Sequence, residues 1–105
     1  MLDKKNFYIE GKWVSPIEPR NYKVIDPSKE KPCAEISLGG KKDVDKAVNA
    51  AKKAFETWAF TKKEERLELL EKLYTIYKKR WAEMAKLISL EMGAPIKFST
   101  EMQAA

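Results

Sequence analysis

The spacing of apolar residues divides the chain into a strand-rich first third and a helical remainder. Two short apolar segments flank Glu10-Gly11, and this arrangement is typical of a hairpin with a two-residue turn. The strand patterns occupy residues 7–14, 22–25 and 33–38. We therefore expect residues 1–38 to form a small antiparallel assembly of β-hairpins.

A helix is predicted over residues 41–58. Apolar side chains recur there at intervals of three and four, so they share one face of the helix. They are Val44, Ala47, Val48, Ala51, Ala54, Phe55 and Trp58. Because several of them are small, we expect this face to approach another surface closely.

A longer helix is predicted over residues 62–92. Thr61 and Glu64 fit a capping box at its start, and Gly93 marks its end. Its apolar residues form two neighbouring rows, which are Leu67, Leu70, Tyr74, Tyr77, Trp81, Met84 and Ile88, and beside them Leu69, Leu73, Ile76 and Leu87. Together the rows are wider than a coiled-coil seam, which favours burial against more than one neighbour over simple dimerisation.

The last residues, 96–105, begin a further helix that no capping residue ends, so we expect a helix cut short. The pattern as a whole predicts an α/β fold in which N-terminal antiparallel hairpins precede two long amphipathic helices. One domain, or a part of one, is expected from a length of 105 residues.

Composition indicates a soluble globular protein. Hydrophobic residues make up 44% and charged residues 35% of the sequence, and no apolar run is long enough to cross a bilayer. A cytoplasmic location without a membrane partner is therefore expected. The formal charge of +5 comes from basic pairs interleaved with acids, which is typical of a solvated surface and not of a nucleic-acid interface.

The sequence contains no complete active site. Histidine is absent, which excludes Cys-His and Ser-His nucleophile pairs and histidine-ligated zinc. The single cysteine, Cys33, is interpreted as a small buried hydrophobe. Gly39-Gly40 precedes a helix and could cradle an anion, but a plain strand-to-helix turn is favoured. No catalytic and no cofactor-binding residue is assigned.

Five segments follow one another in a fixed order. They are YIEGKWV from Tyr8, VIDPS from Val24, DVDKAVNAA from Asp43, AFETW from Ala54 and EMGAP from Glu91. Their order and spacing resemble the N-terminal segment of the aldehyde dehydrogenase superfamily. The family usually has Asn where this chain has Glu10 and Asp26.

The resemblance implies an enzyme several times longer, with an NAD(P)-binding domain, a catalytic domain and an oligomerisation arm. Such enzymes oxidise an aldehyde to an acid through a cysteine thiohemiacetal and hydride transfer to NAD or NADP. Residues 1–105 would be the N-terminal part of the NAD(P)-binding domain, inactive and without cofactor when alone. The implied partners are the remainder of the enzyme, or other subunits, and a small aldehyde.

The resemblance also implies one ligand site. Some family members hold a monovalent cation with backbone carbonyls that here belong to Val24 and Ile25, and with an acid that here is Glu91. Oxygen ligands of this kind suit hard cations. The alternative is that Glu91 is solvated or hydrogen-bonded at the end of its helix.

A second function class remains open from the residues alone. The stripe from Leu67 to Ile88 could pair with another helix, which would make the chain a freestanding helical interaction module.

Overall fold

The computed structural model describes residues 1–105 as short strands followed by long helices, and the α/β class is confirmed. The strands are β1 (Leu2–Lys4), β2 (Phe7–Ile9), β3 (Lys12–Val14), β4 (Asn21–Asp26) and β5 (Lys31–Ser37). The helices are α1 (Lys41–Trp58), α2 (Lys63–Met92), α3 (Ile96–Phe98) and a π-helical turn (Ser99–Gln103). Two compact units form, one from residues 1–24 and 32–61 and the other from residues 25–31 and 62–105.

The predicted hairpin is present as the antiparallel pair β2 and β3, in which Tyr8 lies opposite Trp13. Their rings meet edge to face with centroids 5.3 Å apart. Glu10 and Gly11 have φ angles of 54° and 76°, so both turn residues are left-handed. Glycine adopts this conformation freely, whereas a residue such as Glu10 does so at a cost of about 1–2 kcal/mol.

The expectation of a wholly antiparallel assembly is wrong for β1. This strand pairs in parallel with β5, from Leu2 opposite Ala34 to Lys4 opposite Ile36. The Lys5 ammonium lies 3.4 Å from the Glu35 carboxylate and so links the end of β1 to β5. Strand β1 has only three residues, all exposed and two of them charged, so apolar and polar residues do not alternate along it. The pattern of the sequence therefore could not reveal this strand.

Helix α1 spans the expected residues, and a buried carboxylate organises its start. The Gly40 N–H donates to one oxygen of Asp43 at 3.0 Å. The Ile17 N–H donates to its other oxygen at 2.9 Å. Asp43 is only 5% exposed. It thus supplies from within the chain the negative charge that the N-terminus of a helix attracts.

The predicted capping box at the start of α2 is displaced by one residue. Lys62 is the N-cap, and its N–H donates to the Glu65 carboxylate at 3.3 Å. The Thr61 hydroxyl instead donates to the Trp58 carbonyl at 2.8 Å. Thr61 therefore belongs to the end of α1, because both its hydroxyl and its backbone N–H donate to the Trp58 carbonyl.

The end of α2 agrees with the prediction. Gly93 is left-handed with φ 72°, and its N–H donates to the Ser89 carbonyl at 2.9 Å. Residues 96–105, named here the C-terminal segment, then turn back onto α2. Trp81 Nε1 donates to the Thr100 carbonyl at 2.9 Å. The C-terminal segment thereby covers part of the first apolar row.

Few large apolar side chains are buried by these elements. The buried hydrophobic residues are Ile9, Ala85 and Ala104. The face of α1 that carries Val44 and Phe55 is exposed, as is most of the second row of α2. No described element covers these faces.

Candidate functional site

The turn between β4 and β5 is held by an aspartate. One oxygen of Asp26 accepts from the Ser28 hydroxyl at 2.7 Å and from the Ser28 N–H at 2.9 Å. Asp26 is 5% exposed. These bonds from Ser28 lower the pKa of the Asp26 carboxyl below its ordinary value. The turn is therefore a fixed structure with the Asp26 carboxylate at its centre.

This turn packs on the end of α2 within one compact unit. A Cβ added to Gly93 would lie 2.9 Å from Pro27 Cγ. Glycine is thus needed at position 93 for its positive φ and also for the close approach of Pro27. The pair fixes the turn that follows Ile25 against the end of the helix that carries Glu91.

The three residues of the predicted cation site are placed as follows. Val24 is half-buried, and its carbonyl accepts from the Cys33 thiol at 3.4 Å. Ile25 and Glu91 are exposed and belong to the same compact unit, whereas Val24 belongs to the other.

All three predicted ligands would bind through oxygen atoms. Glu91 is not part of any of the chain's salt bridges, which are made by other acids, so its carboxylate is not neutralised by a neighbouring cation. No group of three His, Cys, Asp or Glu side chains is positioned to hold a metal. Backbone carbonyls with a single carboxylate would suit a hard cation of low charge.

The cysteine occupies a structural position. Cys33 is half-buried in β5, and its thiol donates to a backbone carbonyl of the neighbouring strand. A nucleophilic cysteine needs a base or cationic surroundings that favour the thiolate. The Cys33 thiol bonds to the Val24 carbonyl, and the sequence has no histidine that could serve as its base, in agreement with the interpretation of Cys33 as a packing residue.

Sequence reasoning missed the two buried aspartates. The Gly40 and Ile17 N–H groups lower the pKa of the Asp43 carboxyl below its ordinary value. Two local signals could have found these residues: an acid three positions after Gly40, and an Asp two positions before Ser28. The contact from Ile17 has no such signal, because 26 residues separate it from Asp43.

No helix is both long enough and apolar enough to cross a membrane.

Residues 13–105 match the model of the aldehyde dehydrogenase family. A 3-succinoylsemialdehyde-pyridine dehydrogenase from a Pseudomonas species is 47% identical over 96 residues, which are 91% of this chain and 20% of that protein.

Solved structures show the same fold. An aldehyde dehydrogenase from Bartonella henselae is 55% identical to this chain, with a TM-score of 0.97. The match covers 99% of this chain and 22% of the Bartonella chain. A mutant aldehyde dehydrogenase C from Pseudomonas syringae, with NAD⁺ and octanal, is 38% identical, with a TM-score of 0.92 over 95% of this chain and 21% of its own. The chain therefore spans about a fifth of the length of the proteins it resembles.

Proposed function

The chain belongs to the aldehyde dehydrogenase family, of which it is an N-terminal segment, and we propose that it serves as this part of an enzyme that oxidises an aldehyde to a carboxylic acid. One observation carries the proposal. The Bartonella enzyme contains the same fold, with a TM-score of 0.97 and 55% identity, inside a chain of which this segment covers 22%. The freestanding helical module is not favoured, since the segment recurs within much longer relatives.

The complete reaction would convert aldehyde, water and NAD⁺ or NADP⁺ into acid, NADH or NADPH, and a proton. The NAD⁺ bound to the Pseudomonas syringae relative supports a nicotinamide cofactor in the complete enzyme. When bound, that cofactor supplies the hydride acceptor. The present residues contribute no reacting group, and their part is to provide folded surfaces for the remainder of the enzyme or its other subunits. The location we propose is the cytoplasm.

A chimera tests this function. The segment of the Bartonella enzyme that matches this chain is replaced by residues 1–105, and aldehyde-dependent formation of NADH or NADPH is measured. We expect a soluble chimera with activity close to that of the parent enzyme, because the two segments share fold and half of their residues. A matched control carries a shuffled sequence of equal composition. A folded chimera without dehydrogenase activity would refute the proposal.

We propose in addition that the carbonyls of Val24 and Ile25 and the carboxylate of Glu91 hold a monovalent cation. The support is the packing of Pro27 on Gly93, which fixes the turn after Ile25 at the end of α2, and the unneutralised Glu91. A cation bound only by the folded state raises the thermal midpoint of unfolding.

The cation is tested in the chimera by thermal unfolding in potassium chloride and in choline chloride at equal ionic strength. Potassium should stabilise the chimera, and Glu91→Gln should remove the difference between the salts. Glu71→Gln, which alters another exposed acid of α2, should retain it. An equal response of all three proteins would contradict the site.

A further inference from the structure

The two ends of α2 differ in how side chains compensate the helix dipole. The first turn carries Glu64 and Glu65, which suit the positive N-terminal end of a helix. The last turn contains no basic residue and instead carries an acid, Glu91. The partial negative charge of the C-terminal carbonyls therefore adds to that of the Glu91 carboxylate. A bound cation would offset this concentration of negative charge.

Ser89 joins the last turn of α2 to the residues that follow the helix. Its backbone carbonyl accepts from the Gly93 N–H at 2.9 Å, and its hydroxyl donates to the Ala94 carbonyl at 2.7 Å. The hydroxyl of a serine inside a helix often donates to a carbonyl of the preceding turn, whereas here it donates to a residue beyond the helix. Ser89 is half-buried, so water competes little for these bonds.

The bond from Ser89 acts on a short connection that has little other freedom. Gly93 is left-handed with φ 72°. Pro95 disfavours a helical conformation at Ala94, the residue that precedes it. Once the Ala94 carbonyl is also bonded to Ser89, the direction in which the chain leaves α2 is set.

The same connection is the surface on which the turn after Ile25 packs. A Cβ at Gly93 would lie 2.9 Å from Pro27 Cγ, so the two residues are in close contact. Ile25, Pro27, Glu91 and Gly93 all belong to one compact unit. A change in the way the chain leaves α2 would therefore move Glu91 relative to the turn after Ile25.

We infer that Ser89 is a positioning residue for the cation proposed at Glu91. Its hydroxyl is bonded to Ala94 and does not bind the cation itself. By holding Ala94 it fixes the last turn of α2 against the turn after Ile25, and so places the Glu91 carboxylate. The inference rests on the proposed cation site, and it goes further in naming a residue outside the ligand set on which the affinity for the cation depends.

The test is a potassium titration of the chimera that carries residues 1–105, with choline chloride holding the ionic strength constant. The thermal midpoint of unfolding is recorded at each potassium concentration, and its rise with concentration gives the dissociation constant. Ser89→Ala should raise this constant about fivefold, which is the effect expected for the loss of one hydrogen bond. Ser89→Thr keeps a hydroxyl and should restore the original constant. Thr75→Ala removes a hydroxyl from an exposed position within α2 and should leave the constant unchanged.

A merely structural role of Ser89 gives a different result. Ser89→Ala would then lower the thermal midpoint equally in potassium chloride and in choline chloride and leave the dissociation constant unchanged, which overturns the inference. The proposed site still stands in that case if Glu91→Gln removes the response to potassium. A constant as weak with Ser89→Thr as with Ser89→Ala also overturns the role of the hydroxyl. A chimera that does not respond to potassium overturns the site and the inference together.

Discussion

At the scale of single residues, Asp43 does more than any other side chain to fix the start of α1. Its two oxygens accept from Gly40 of the same turn and from Ile17 of a distant segment. Both donors favour the ionised carboxyl, so its pKa lies below the ordinary 3.8. The stabilising effect is therefore complete above the ordinary pKa and is lost as the pH falls through the lower pKa of the folded state.

The lowered pKa of Asp43 is tested by following the amide protons of Ile17 and Gly40 with NMR during an acid titration. Their shifts should follow one midpoint below 3.8, the ordinary value for Asp. Asp43→Asn should abolish the titration and weaken the start of α1, because an amide offers only one acceptor oxygen. Asp45→Asn, on the exposed side of the same helix, is the control. A midpoint at or above the ordinary value would contradict the assigned bonds.

The roles of single residues could be predicted where the backbone conformation requires a particular residue type. The left-handed conformation of Gly11 and Gly93 can be predicted from the sequence, because a glycine between structural elements usually marks a backbone position that needs a positive φ. The roles of Asp26 and Asp43 were not foreseen, since an aspartate is equally common on a solvated surface. The hydrogen bond from Ile17 to Asp43 depends on the tertiary fold, and no local sequence pattern predicts it.

At the scale of elements, the C-terminal segment is attached to α2 by hydrogen bonds. Side chains of α2 donate these bonds to backbone carbonyls of the segment. Tyr77 bonds the carbonyl of Ala104, which is 2% exposed, and Trp81 bonds that of Thr100. Carbonyls in the last turn of a helix have no partner within the helix. Tyr77 and Trp81 therefore act as a cap supplied from another element.

Tyr77→Phe tests this cap, because it removes the bond and keeps the ring. Loss of a partly buried hydrogen bond costs about 1 kcal/mol, which corresponds to roughly fivefold faster local opening. We expect the Ala104 amide, which donates to Ser99, to exchange with solvent faster by that factor. Tyr74→Phe, at a residue that is 61% exposed, should leave the exchange unchanged. Equal rates in all three proteins would show that the hydroxyl does not hold the segment.

The helices were the most predictable elements, and strand pairing was the least. Apolar spacing and the glycines around each helix place α1 and α2 to within one residue. The parallel pairing of β1 with β5 joins residues about 32 positions apart and depends on the course of the whole chain. The cation site stays a prediction that rests on family resemblance, since its proposed ligands include backbone carbonyls that any residue possesses.

At the scale of the whole molecule, the exposed apolar surface and the short length of the chain are both typical of a part of a larger protein. Three hydrophobic residues are buried, whereas most of the large apolar side chains of α1 and α2 remain exposed. A domain that functioned alone would bury most of such surface. The chain spans about a fifth of its relatives. The exposed apolar faces therefore support the proposal that the remainder of a longer enzyme covers them.

The purified chain should consequently be silent as a dehydrogenase. Aldehyde oxidation needs an activated thiolate beside a bound nicotinamide, but the thiol of Cys33 is bonded to the Val24 carbonyl and no histidine can serve as its base. With a panel of aldehydes and either NAD⁺ or NADP⁺, absorbance of the reduced cofactor should not rise above a protein-free blank. Cys33→Ala in the chimera should leave its activity intact, because this cysteine packs and does not react. Turnover by the isolated chain that disappears with Cys33→Ala would make Cys33 a nucleophile and contradict its assignment as a packing residue.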